Sequence, residues 1–150
     1  MKNLYDPTRV TEVQQRLKHL RPDSERQWGS MTVGQMLAHC AVALEAAMGE
    51  VHPPRMMIGR LLGWAIQPLA LGNDDPLKRN SPTVPGFIVT NDRDFAVERE
   101  RVSGLIDRFA TVGAAGCTTD PHSFFGRMLP NQWAVLMYKH MDHHLRQFSA

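Results

Sequence analysis

Ten prolines, at positions 7, 22, 53, 54, 68, 76, 82, 85, 121 and 130, constrain this chain more than any other feature. Proline is expelled from helix interiors and favoured at turns and at the first helical position. Between them run four long proline-free windows, 8–21, 23–52, 86–120 and 131–150, which predict four helices. Residues 51–85 hold six of the ten prolines and read as a long crossover with one short helix near 56–67. Strand-period alternation is confined to residues 87–90 and no internal repeat occurs. The expected fold class is therefore all-α, a four-helix bundle with a long crossover between its second and third helices.

Each window carries a helical stripe. In the first, Val10, Val13, Leu17 and Leu20 recur at spacings of three and four after Asp6-Pro7. The second pairs Thr32 with Gln35, the spacing of a capping box, and runs Ala- and Leu-rich to Gly49. The third keeps Phe95, Val102, Leu105, Ile106, Phe109 and Val112 on one side between Asn91-Asp92 and Gly113. The fourth opens on Pro130 and continues almost to the C-terminus. A second connection, dense in turn-forming residues, covers 116–129.

With 150 residues the chain is expected to form one domain, 1–150. Its 43% apolar and 21% charged residues exclude disorder as the dominant state. Seventeen Lys+Arg against fifteen Asp+Glu give a charge of +2 with the basic residues scattered, which argues against a nucleic-acid partner. Cys40 and Cys117 are too few for a disulfide framework and match no zinc pattern, so a reducing cytoplasm is expected. The start, MKNLYDPTRV, has no apolar run of the kind a secretory signal needs, and the mature chain is expected to begin there. The most apolar stretch, 61–71, is interrupted by Pro68 and is about half the roughly twenty residues needed to span a bilayer.

Seven histidines are present, and His140, His143 and His144 lie within five residues of one helix. At about 100° per residue, His140 and His144 stand one turn and about 40° apart, on the face of Trp133, Leu136, Met137 and Phe148. His143 falls at the edge of that face, and Asp142 points nearly opposite, toward solvent. Two imidazoles at i and i+4 can ligate one divalent ion. The natural third ligand is His39 in the second helix, beside Ala43 and Ala46, whose small side chains leave room for a neighbour. The competing reading is a trio of buried, hydrogen-bonded core histidines without metal.

No H-E-x-x-H occurs, so no glutamate stands at the spacing of a zinc-protease base. Glu45, Glu98 and Asp142 are candidates for a base, with solvated surface charge the simpler reading of each. Cys40 follows His39 directly, but adjacent helical side chains diverge by about 100° and do not meet, so Cys40 reads as a buried structural thiol. Cys117 reads as a loop thiol. Trp28, Trp64 and Trp133 read as core or interface anchors. Phe124, Phe125 and Arg127 either line a pocket mouth or plug the end of the bundle.

The segment FFGRMLPNQWAVLMYKHMDHHLRQF, together with RQWGSMTVGQMLAHCAVALEAAMG, resembles the DinB/YfiT-like superfamily, and within it a branch of unknown function. The resemblance covers essentially the whole chain. It implies a four-helix bundle, often a homodimer, with a divalent ion such as Zn²⁺ or Ni²⁺ held by His39, His140 and His144. It further implies a small-molecule substrate and an activity such as thiol S-transfer, using a low-molecular-weight thiol, or hydrolysis. The alternative is a non-catalytic, stress-associated binding or structural dimer. Met56, Met57, Leu61, Leu62 and Trp64 exceed what one short crossover helix needs to bury and are the expected interface.

Overall fold

The computed structural model describes residues 1–81 and 83–150, and Pro82 of the crossover lies outside the described residues. Among these the chain is all-α, with five helices and no strand. They are α1 (Pro7–His19), α2 (Val33–Ala47), α3 (Met57–Leu71), α4 (Phe95–Val112) and α5 (Pro130–Gln147). The four proline-free windows each supply one helix, and α3 comes from the crossover. Residues 87–90 form no strand, and Phe87 closes a single 3-10 turn, Pro85–Phe87.

The helix starts follow local chemistry. Asp6 accepts a hydrogen bond from the Thr8 N–H at the N-cap of α1, with Pro7 directly after. Thr32 and Gln35 form the reciprocal capping box of α2. Asp94 accepts from Val97 N–H at the start of α4. Gly113, at φ 58°, ends that helix in a conformation that L side chains rarely adopt.

Helices α2 and α5 each pack on α1 or α4, and α1, α4, α2 and α5 meet their neighbours in a closed ring. Inside lie Val13, Leu17, Met36, Leu37, Ile106, Phe109 and Leu145, each at most 2% exposed. Asp142, expected in solvent, is instead buried and bridges the ring, pairing with Arg16 of α1 at 2.7 Å and Arg146 at 2.8 Å. Glu98 is likewise buried, between Arg93 at 3.2 Å and Arg101 at 3.1 Å, and Arg101 also holds Glu45 at 2.7 Å. A buried carboxylate without a cation would cost several kcal/mol, so these arginines are what make both positions tenable.

The crossover helix α3 runs past the expected end near residue 67 and through Pro68. Proline removes the donor owed to the carbonyl four residues back, here that of Trp64, and Trp64 is 76% exposed, where water can replace it. The C-terminus of α3 is fixed by Lys139 of α5, whose buried ammonium donates to the carbonyls of Ala70 at 2.5 Å and Asn73 at 3.1 Å. On its inner side α3 presents Gly59 and Gly63, where any Cβ would run into the Phe124 carbonyl. That close approach seats the loop 122–126 against α3 and leaves Met57, Leu61, Trp64 and Leu69 on the outside.

Candidate metal centre

The three histidines selected from the sequence converge. His39 of α2 and His140 and His144 of α5 each turn a ring nitrogen inward, and these nitrogens lie within 4.8 Å of one another. His39 and His144 are buried, while His140 keeps some surface, which opens on a cavity of about 1090 Å³. This cavity lies between α2, α5 and the crossover, and Met31, Ala43, Phe87, Phe124, Phe125 and Leu136 are among its walls.

Hydrogen bonds fix the ring orientations. His39 Nδ1 lies 2.9 Å from the Phe87 carbonyl, which can only accept, so Nδ1 carries the proton and Nε2 offers its lone pair. His144 Nδ1 lies 2.8 Å from Gln147 Oε1, and the Gln147 amide is held in that sense by donating to the Trp28 carbonyl at 2.8 Å. His144 Nε2 is thereby freed as well. His39 Nε2 and His140 Nε2 face each other at 2.9 Å. Two such nitrogens are reconciled either by one shared proton or by a cation between them.

Burial is the main reason that all three rings resist protonation. It lowers the pKa of His39 and, helped by the neighbouring imidazoles, takes that of His140 well below the ordinary range. His144 is pushed down to about 3, by burial and then by His39. Three neutral imidazoles are the donor set that suits a divalent ion of borderline softness, with Zn–N bonds of about 2.0–2.1 Å. A three-histidine group of this kind can hold a metal ion.

The other candidates are placed elsewhere. Glu45, Glu98 and Asp142 are all committed to arginines away from the cavity, so none stands as a base at the centre. Cys40 is buried with Sγ 3.7 Å from Met36 Sδ, and burial raises its pKa. Cys117 is half-buried against the core instead of loose in a loop. Phe124 and Phe125 line the cavity, but Arg127 is exposed and does not. Trp133 is buried, Trp28 lines the cavity with its ring tilted against that of His143 at 5.4 Å between centroids, and Trp64 is exposed.

The sequence reading missed Arg55, His122 and Lys139, all of which line the cavity. Arg55 and His122 sit in irregular segments where no period marks an inward face, and Lys139 on α5 reads as a charge beside the histidine stripe.

Among the described residues no helix is long and apolar enough to cross a membrane. No curated protein and no solved structure matches the chain. Residues 4–150 match the profile of DUF1569, described as a protein of unknown function, and the chain belongs to that family.

Proposed function

We propose that this protein is a metal-dependent enzyme of the DinB/YfiT-like type, a single four-helix-bundle domain over residues 1–150 in which His39, His140 and His144 hold one Zn²⁺ or Ni²⁺. The reaction is thiol S-transfer or hydrolysis of a small molecule in the adjoining cavity. The observation that carries this reading is the convergence of three neutral ring nitrogens at the wall of a large, mostly apolar cavity. A bound divalent ion supplies the means to make a thiol or water nucleophilic near neutral pH. The chain does the rest. Phe87 and Gln147 orient two of the rings, and burial keeps them unprotonated.

Elemental analysis of protein purified without a polyhistidine tag tests it. About one divalent ion per chain is expected, lost in His140→Ala and His144→Ala; a folded wild type free of metal overturns the proposal. An assay of bacillithiol, mycothiol or glutathione with a model electrophile then separates transfer from hydrolysis. The two free cysteines accord with a reducing compartment such as the cytoplasm. The same reading includes a homodimer through the outer face of α3, on the strength of the apolar side chains exposed there.

A further inference from the structure

A second group of polar atoms lies in the wall of the same cavity, around the loop 122–126. His122 and Gly126 close this loop with two backbone hydrogen bonds of 2.8 and 3.1 Å. Inside it, the amides of Phe124 and Phe125 both donate to His122 Nδ1, each at 3.1 Å. An amide N–H can only donate, so Nδ1 is unprotonated and Nε2 carries the hydrogen. Burial, and then the charge of Arg55, push the His122 pKa down to about 4. His122 is thus a neutral N–H donor with its tautomer locked.

Arg55 lies beside it. Its guanidinium rests against Gly126, where a Cβ would come within 3.3 Å of Nη1. It joins none of the ion pairs among the described residues, and its Nε is buried without a partner. Two further buried atoms close by have unmet hydrogen-bonding capacity. They are Ser123 Oγ, in a residue 1% exposed, and Trp133 Nε1, whose ring stands 5.2 Å from His122. The N-terminus of α3 begins two residues after Arg55 with no side-chain cap and adds the positive end of its dipole. Native interiors seldom leave this many donors unanswered.

We propose that Arg55 and His122 form a carboxylate-binding subsite, which anchors a singly charged anionic small molecule in the cavity shared with the three-histidine group. One guanidinium beside one neutral N–H matches a planar monoanion. Lys139, the buried cation of the same wall, has its three donors committed to Ala70 and Asn73 and so offers no free N–H to the second anionic group of a dianion. The aromatic rings of Phe124 and Phe125 favour a ligand whose remainder is apolar. This assignment stands on its own residues and does not depend on metal in the histidine group.

Benzoate and its neutral isostere benzamide are suitable probes, titrated to about 10 mM, beyond the millimolar affinity expected for a fragment of that size. Calorimetry on the full chain, with and without prior dialysis against a chelator, should show benzoate binding in both states and benzamide binding at least about tenfold more weakly. Arg55→Met should weaken benzoate by at least about tenfold. A second readout needs no variant. In nitrogen-detected NMR of the wild type, His122 should be protonated at Nε2 alone, and benzoate but not benzamide should shift that signal. The proposal is overturned if neither probe binds, if both bind equally, if benzoate binds only the metal-loaded protein, or if the His122 signal is indifferent to benzoate.

Discussion

Helix α2 divides two differently built sides of the molecule. Along α4 it presents Gly34, pressed on the backbone of Arg93, and Glu45, paired with Arg101; along the cavity it presents His39, Ala43 and Ala46. Beyond the first face, Val102, Ile106 and Phe109 are 0% exposed. Beyond the second, α3 leaves Met57, Leu61, Trp64 and Leu69 at 70–76% exposure and is held instead by glycine contacts and by Lys139. The α4 side draws its stability from apolar burial. The cavity side is organised by hydrogen bonds to ring nitrogens and carbonyls, and it carries the chemistry.

The comparison would break most visibly at Phe109. This ring is fully buried and stacks on Tyr5 at 5.3 Å between centroids, so Phe109→Ala should cost about 4 kcal/mol in urea unfolding. Because the cavity lies across α2, the fraction that remains folded should keep the metal stoichiometry of wild type. Loss of metal at an unchanged unfolding midpoint would show that the two sides are not separable in this way.

A drop in pH should act on the other side. In metal-free protein His144 and His122 sit at about 3 and about 4, against about 6.5 in an unfolded chain. Below pH 6.5 the unfolded state takes up protons that the folded state refuses. Stability is therefore whole above that pH and is lost as pH falls toward 4. For these two rings the loss between pH 7.5 and 5.5 is on the order of 3 kcal/mol, and His140 and His39 act in the same direction. Equal urea midpoints at the two pH values would contradict the assignment of these rings as buried and neutral.

How far the sequence could be read follows the same division. The expected helix starts at Pro7, Thr32 and Pro130 agree with α1, α2 and α5, because caps and stripes are local and periodic. The third expected helix also agrees, although its cap is Asp94 and not Asn91-Asp92. The histidine trio was legible because an i, i+4 pair on an apolar face admits few partners. Asp142 and Glu98 were misread as solvated: the burial of Asp142 depends on Arg16 arriving from α1, and that of Glu98, whose cations Arg93 and Arg101 are near neighbours in sequence, depends on α4 packing against α2. The length of α3 was hidden by Pro68, whose cost depends on whether the orphaned carbonyl reaches water. Arg55 and His122 meet only because the 122–126 loop docks on two glycines of α3, a contact that no single-segment pattern encodes.

The smallest effect is expected at Trp64, and it tests what the exposed face of α3 is for. Its indole N–H is satisfied within the helix by the Leu61 carbonyl at 3.1 Å, and most of the ring is open to solvent. Replacing it removes almost no intrachain burial, so Trp64→Glu should change the stability of the monomer by less than about 0.5 kcal/mol. If two copies cover this face, association adds a stabilisation that rises with protein concentration in the wild type. The substitution would abolish that dependence by placing a carboxylate in an apolar contact. Unfolding measured at low and high micromolar concentration, with light scattering on the same samples, separates the two contributions. A wild-type midpoint independent of concentration, with a monomer mass throughout, would leave the face of α3 uncovered by a second copy and remove the homodimer from the functional reading without touching the histidine centre.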